Sequence, residues 1–181
     1  MNASEVSNRT AGFTKRLLAF AIDFILIAAY ILVLFGIGTS TMRITSELVV
    51  LASPWTKDLL AFLVLILPVI LYFALQESSQ RQATWGKRRV GIKVVNAQGQ
   101  KLSWLQALVR SAIKFLPWQL AHTCIFQIWF GQTSPWLIVG ALLAQGLVVI
   151  YVLSILVSKE HRALYDWPSG AYVIFAESVR V

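Results

Sequence analysis

The sequence predicts an all-α integral membrane protein with four transmembrane helices, a small cytoplasmic β-hairpin and a C-terminal interfacial segment. Three observations support this fold class: a composition that is 57% hydrophobic, three long apolar runs, and an uneven distribution of basic residues along the chain. The mean hydropathy is +0.69. Only 13% of the residues are charged, well below the roughly 25% of a soluble domain.

The first apolar run, residues 17–37, contains 21 residues and a single charge, Asp23. At about 1.5 Å per residue, a helix of this length crosses a hydrocarbon core of about 30 Å. The run is longer than the roughly 7–15 apolar residues of a signal peptide, which predicts a retained anchor. An ionised side chain inside the bilayer costs about 2.5–3.5 kcal/mol, so Asp23 is a candidate functional residue.

Two further runs are also long enough to span: residues 59–75 and 136–157 contain 17 and 22 residues without a charge. Pro68 interrupts the first of them, which membrane helices tolerate better than soluble helices. The stretch before the third run is ambiguous. Arg110 and Lys114 make its first half amphipathic, whereas residues 115–130 are apolar, so it either spans the membrane or lies on its surface.

The positions of the basic residues favour the spanning alternative. If residues 115–130 cross the membrane, fourteen Lys and Arg residues lie on the cytoplasmic side and two, Arg43 and Lys57, lie outside; a surface helix would give eleven against five. The positive-inside rule therefore predicts four spans with both termini cytoplasmic, in a bacterial plasma (inner) membrane. This topology also accounts for the net charge of +8 without a nucleic acid partner.

The loop between the predicted spans 59–75 and 115–130 carries a strand and a turn. Residues 90–95 alternate as a strand does, and residues 96–99 supply turn chemistry, which predicts a hairpin that closes at residues 101–102. Residues 87–89 are basic and are predicted to contact anionic lipid headgroups, at about 1 kcal/mol each. The polar residues 76–81 are predicted to be a solvated loop.

The chain end is predicted to fold back against the cytoplasmic ends of the helices. Residues 161–170 follow the last apolar run directly and are rich in aromatic residues. Asp166 lies within them, and by its local sequence it caps a turn or a short helix. We expect one domain, residues 15–176, between an N-terminal tail of residues 1–14 and a C-terminal tail of residues 177–181.

Three segments together resemble a known family. They are residues 12–23 at the first span, residues 84–95 in the loop, and residues 162–166 after the last span. In this order and placement they resemble the RDD family of membrane proteins, from about residue 12 to residue 173. The resemblance implies a membrane-embedded bundle and a function in transport, including exchange of a cation for a proton.

The RDD family is named for one arginine and two aspartates, which correspond here to Arg16, Asp23 and Asp166. Tyr165 stands where many relatives carry a histidine, so the resemblance implies no proton relay at that position. These three signature residues are the candidate site, as a transport pathway or as a buried network.

The geometry of a helix limits how the charged residues pair. Arg16 and Asp23 share a helix face but lie about 10.5 Å apart along the axis, too far for direct contact. We therefore predict that Arg16 pairs with Asp166, and that Asp23 meets a cation from the amphipathic stretch, either Arg110 or Lys114.

Two function classes remain open from the sequence. In the first, the protein is a transporter that exchanges a monovalent cation for a proton or moves a small ligand. In the second, the same residues form a static network, and the protein serves a protein partner or forms a homo-oligomer. Gly140 and Ala144 would permit close helix contact in either case. An enzyme is not expected, since His122 and His161 match no metal site or catalytic pair, and no cofactor is predicted.

Overall fold

The structure is a computed structural model that describes residues 3–176, with the backbone alone described for residue 3 and residues 41–51. The predicted tail of residues 177–181 therefore lies outside the described residues. The same holds for Arg180 and for the side chain of Arg43, two of the basic residues in the charge count.

The described chain is mostly helical, with one small sheet. Its elements are α1 (Ala3–Asn8), α2 (Phe13–Leu51), α3 (Pro54–Ala61), α4 (Leu67–Ser78), α5 (Trp85–Arg89), β1 (Ile92–Val95), α6 (Trp104–Trp129), α7 (Pro135–Val157) and β2 (Tyr172–Phe175). A π-helical segment, Phe62–Ile66, joins α3 to α4, and a 3₁₀ turn, Leu164–Asp166, precedes β2. Helix α6 packs between α4 and α7.

Among the described residues, three helical segments are long and apolar enough to cross a membrane: Phe13–Ser40, Pro54–Ser78 and Pro135–Val157. They contain the three predicted apolar runs, so membrane-type helices are confirmed there. Their outer faces are apolar, with Phe35, for example, 71% exposed. Helix α6 is continuous over 26 residues but is not among the three candidates, so the fourth span stays a prediction.

Pro68 leaves one backbone carbonyl in the second span without its helical donor. A proline has no N–H, so the carbonyl four residues earlier, that of Val64, loses its i+4 hydrogen bond. The hydroxyl of Tyr30 on α2 donates to this carbonyl oxygen. The neighbouring helix thus satisfies the group that the proline releases, as a membrane interior requires.

Pro117 in α6 is compensated in the same way. It frees the carbonyl of Ile113, and the hydroxyl of Tyr151 on α7 donates to that oxygen at 2.7 Å. A tyrosine from an adjacent helix therefore replaces the missing bond at each of these two prolines.

The two strands form an antiparallel sheet that joins distant parts of the chain. Ile92 lies opposite Phe175 and Val95 lies opposite Tyr172. The antiparallel two-stranded sheet is thus present, but the predicted hairpin partner was wrong, because β1 pairs with β2 near the chain end rather than with residues 101–102.

The turn after β1 explains why no hairpin forms. Asn96 accepts hydrogen bonds through Oδ1 from the backbone N–H groups of Gln98 and Gln100, at 3.0 and 2.9 Å, so the predicted turn is present. Ser103 then caps α6, and Gln106 completes a capping box with it. The chain therefore enters a helix directly after the turn, and no second strand can follow.

The N-terminal residues pack on the other edge of β2. Thr10 forms a bridge with Ile174, and the N–H of Ala11 donates to the carbonyl of Val173 at 2.8 Å. Val6 on α1 is fully buried against the sheet. Over its described residues, the segment predicted as a tail is therefore part of the folded unit.

The small residues of α7 serve packing within the chain. Ala144 is 1% exposed, and a Cβ added at Gly140 would lie 2.6 Å from the Sγ of Cys124 on α6. The predicted small-residue pair thus packs within the same chain, with Ala144 buried and Gly140 facing α6. Close approach of α6 and α7 depends on the missing side chain at Gly140.

We predict that Gly140→Ala destabilises the protein by about 1–3 kcal/mol, since its methyl group overpacks against Cys124. The measurement is thermal unfolding of the purified protein in detergent. The matched control is Gly146→Ala on the same helix, where an added Cβ meets nothing within 4 Å. Adding Cys124→Ala should restore stability to the Gly140→Ala variant; equal stability of the two glycine variants would contradict the proposed packing.

Candidate functional site

Asp166 is a fully buried carboxylate that binds two arginines from two helices. Nη1 of Arg16 on α2 donates to its Oδ2 at 2.7 Å, and Nε of Arg110 on α6 donates to its Oδ1 at 2.8 Å. The backbone N–H of Ala163 also donates to Oδ2, at 3.0 Å, so the carboxylate closes its own 3₁₀ turn. The predicted pair of Arg16 with Asp166 is formed, and the local capping role and the long-range pairing coexist.

Arg110 continues the network to a second carboxylate, Glu77 at the end of α4. Nη1 of Arg110 and Nζ of Lys87 each form an ion pair with one Glu77 oxygen. Glu77 is fully buried and Lys87 is 6% exposed. The predicted solvated loop was therefore wrong at Glu77, and the predicted headgroup contact was wrong at Lys87, although Arg88 and Arg89 are exposed as that prediction requires.

These contacts form a chain of alternating charge across five elements. Its members, in order of contact, are Arg16, Asp166, Arg110, Glu77 and Lys87. Removing one partner of a buried ion pair leaves an uncompensated charge and typically costs about 3–5 kcal/mol. The network therefore ties α2, α4, α5, α6 and the C-terminal turn to one another.

Asp23 lies apart from this chain and binds neutral donors. Its carboxylate accepts hydrogen bonds from the hydroxyl of Thr84 at 2.5 Å, the N–H of Gly86 at 2.7 Å and the hydroxyl of Tyr72 at 3.1 Å. The prediction that it pairs with Arg110 or Lys114 was wrong, since neither forms an ion pair with it in the described chain. Asp23 instead fixes the start of α5 against α2.

The contact between α5 and α2 leaves no room for a side chain at Gly86. An added Cβ would overlap the carbonyl oxygen of Ala19 and lie 2.9 Å from the Cγ of Asp23. Glycine is thus required here for the backbone N–H to reach the carboxylate.

Lys114, the other cation proposed for Asp23, faces aromatic rings. Its Nζ lies 3.7 Å from the ring centroid of Phe73, 4.9 Å from that of Phe20 and 5.1 Å from that of Phe115. Cation–π attraction stabilises a charged ammonium in such a place by about 2 kcal/mol when it is desolvated. Lys114 therefore sits among ring faces and not against a carboxylate.

Two groups outside the spans have shifted acidities. Burial alone would raise the pKa of Asp166, but the guanidinium groups of Arg110 and Arg16 overcome it and lower that pKa to about 2. Burial, together with the negative charge of the adjacent Asp166, raises the pKa of Tyr165 to about 12. Tyr165 therefore stays protonated near neutral pH and does not titrate there.

A cleft of about 510 Å³ lies beside the network, between α2, α6 and α7. Arg16, Asp23, Lys87, Arg110 and Lys114 all line it, together with aromatic and aliphatic side chains. Its volume falls within the roughly 300–1,000 Å³ of small-ligand sites.

A second polar cluster links α3 to the middle of α6. Asp58 accepts a hydrogen bond from the hydroxyl of Thr123 at 2.9 Å and lies 3.3 Å from Nδ1 of His122. His122 thus packs beside a carboxylate and stacks on Phe126. Within the part of the chain that the structure describes, no three His, Cys, Asp or Glu side chains are grouped so as to hold a metal ion.

Sequence reasoning missed Glu77, Tyr72 and Thr84 as members of the site. A signal for Glu77 was present: it follows the buried Phe73 by four residues, which places both on one helix face. Tyr72 and Thr84 carried no comparable signal, because their roles depend on how α5 docks on α2.

We predict that Gly86→Ala lowers the melting temperature strongly, because its methyl group displaces α5 from Asp23. A loss of several kcal/mol is expected, since backbone and not a flexible side chain must move. Gly36→Ala is the matched control, because Gly36 lies inside α2 and an added Cβ there meets nothing within 4 Å. Similar melting temperatures for both variants would show that α5 does not dock as described.

We predict that Asp166→Asn destabilises the protein by about 3–5 kcal/mol at neutral pH, since it leaves Arg16 and Arg110 without their shared anion. The wild type should also lose stability in acid. Its carboxylate contribution is present above the unfolded pKa of 3.8 and disappears as the pH falls through about 2. Melting in detergent across this range, compared with Asp166→Asn, measures both effects.

The control for Asp166→Asn is Glu160→Gln. Glu160 is partly exposed and lies 3.6 Å from Arg162, so its loss should change stability by less than about 1 kcal/mol. An acid dependence that is as large in Asp166→Asn as in the wild type would assign it to another carboxylate.

Comparison with known proteins identifies the family of the chain. The model of the RDD family matches residues 10–170. A protein of Bacillus subtilis (strain 168), described as "Uncharacterized protein YxaI", is 29% identical over 133 residues, which cover 68% of this chain and 88% of that protein. No solved structure matches the chain. The family match spans the helices, the loop and all three signature residues, and the chain therefore belongs to the RDD family.

Proposed function

We propose that this protein binds a small ligand within the membrane, in the cleft between α2, α6 and α7. The observation that carries the proposal is the cleft itself, which lies beside the family-signature residues and has the volume of a ligand site. In this proposal the charged network forms one rigid wall of the binding site. The protein is proposed not to be an enzyme.

The proposal includes a fourth span, α6, with both termini on the cytoplasmic side of a bacterial plasma membrane. Helix α6 packs between α4, which is part of the candidate span Pro54–Ser78, and α7, which is itself a candidate span. Its two cations are buried or enclosed by aromatic rings, so it carries little exposed charge. Four spans also give the favourable count of fourteen cytoplasmic basic residues.

The geometry favours ligand binding over exchange of a monovalent cation for a proton. Both oxygens of Asp23 already accept hydrogen bonds, from Tyr72, Thr84 and Gly86. Four cationic side chains also line the cleft, and they would repel a metal cation. Neither observation opposes a neutral or negatively charged ligand. A homo-oligomer or a protein partner stays a prediction that the cleft neither requires nor excludes.

The test uses electron paramagnetic resonance of spin-labelled stearic acid and its methyl ester in phosphatidylcholine nanodiscs that contain the protein. We expect a saturable, motionally restricted component for at least one probe. Val148→Trp, which fills the cleft, should abolish this component. Val149→Trp is the matched control, because the neighbouring Val149 is 55% exposed and does not line the cleft.

Two results would contradict ligand binding. One is a motionally restricted component that is identical in the wild type and both tryptophan variants, since such a component would arise from lipid at the outer surface of the protein. The other comes from liposomes with an imposed pH gradient: a collapse that requires sodium or potassium and is abolished by Asp23→Asn would establish exchange instead.

A further inference from the structure

We propose that the ligand of the cleft is an amphipathic anion whose acidic group binds between Lys114 and Arg16 and whose apolar tail lies along α7. This inference rests on the proposed function and adds the chemistry of the ligand. Three independent observations support it: the balance of charge, two cations with unused donors, and the apolar walls.

The charged groups at the cleft carry an excess of one positive charge when all are ionised. Four cations line the cleft, and three carboxylates either line it or pair with those cations. The cations are Arg16, Lys87, Arg110 and Lys114, and the carboxylates are Asp23, Glu77 and Asp166. A buried ammonium without a counterion is costly, and it either loses its proton or binds an anion. One monoanion in the cleft would balance the set.

The unused donors identify where that anion binds. Arg16 is 8% exposed, and its Nη2 has no hydrogen-bond partner in the described chain, although Nη1 and Nε are engaged. Lys114 contacts ring faces but no carboxylate there. Both side chains line the cleft, one from α2 and one from α6.

The remaining walls of the cleft suit a hydrocarbon tail. Helix α7 contributes Val148, Val152 and Ile155, while α2 and α6 contribute Phe20 and Trp118. Burial of each methylene group against such walls contributes about 0.8 kcal/mol. A small hydrophilic anion would leave these walls unused, whereas a neutral apolar molecule would leave the two donors unused.

Such a ligand has two sources, a single-chain fatty carboxylate or an anionic membrane phospholipid. The nanodisc assay distinguishes them with spin-labelled stearic acid and spin-labelled phosphatidylglycerol, measured against the methyl ester and phosphatidylcholine labelled on the same chain. Restriction of the stearic acid alone would identify a single-chain ligand, and restriction of both anions would include the phospholipid. Either result supports the proposal.

We expect the wild type to bind the ionised stearic acid about tenfold more tightly than its methyl ester, as a charge-assisted hydrogen bond provides. Lys114→Met should remove this preference, and Lys114→Arg should retain it. Because Lys114→Met risks poor folding, a second variant, Gln145→Glu, introduces a competing carboxylate at the cleft wall without removing a cation. It should weaken binding of the acid and leave binding of the ester unchanged.

Equal binding of acid and ester by the wild type, sensitive to Val148→Trp, would overturn the anion preference while leaving a ligand site in the cleft. Retention of the preference in both Lys114→Met and Gln145→Glu would also overturn it. Absence of a motionally restricted component for every probe would instead overturn the proposed function itself. The two failures are therefore distinguishable.

Discussion

The rest of the structure depends on one carboxylate, Asp166, and the two arginines that it holds. Taking these charges out of water is expensive, so each must find its counterion at a fixed place. Arg16 comes from the first span, Arg110 from the central helix, and Asp166 from a turn 56 residues after Arg110. The ion pairs therefore fix which helices are neighbours and where the chain end returns.

The small sheet follows from the same arrangement. Once Asp166 is held between α2 and α6, the segment that follows it runs back along the polar end of the bundle and pairs with β1 on one edge and with residues 9–11 on the other. Asp23 then attaches α5, which leads into β1, through three neutral donors. Charged and neutral contacts thus have separate roles: the ion pairs join helices, and Asp23 positions the loop.

The parts of the fold that depend on local composition were predictable from the sequence. Apolar runs indicate spanning helices. Helix geometry separates Arg16 from Asp23, and the family resemblance supplied Asp166 as the partner predicted for Arg16. The failures share a different cause. The partner of β1, the donors to Asp23 and the burial of Glu77 each depend on long-range packing, since β2 lies some eighty residues away and α5 reaches Asp23 only because Gly86 lacks a side chain. Neither the hydrophobic periodicity of a segment nor its local secondary-structure propensity specifies these long-range contacts.

The tyrosines that replace the helical bonds lost at Pro68 and Pro117 bear on how the bundle assembles. A helix inserted by itself would expose the carbonyl of Val64 or Ile113 to hydrocarbon, and only the correct neighbour at the correct depth supplies the hydroxyl that removes this penalty. A misaligned pair of helices would leave the carbonyl unsatisfied. Each proline thereby makes stable packing of the two helices depend on their relative depth in the bilayer.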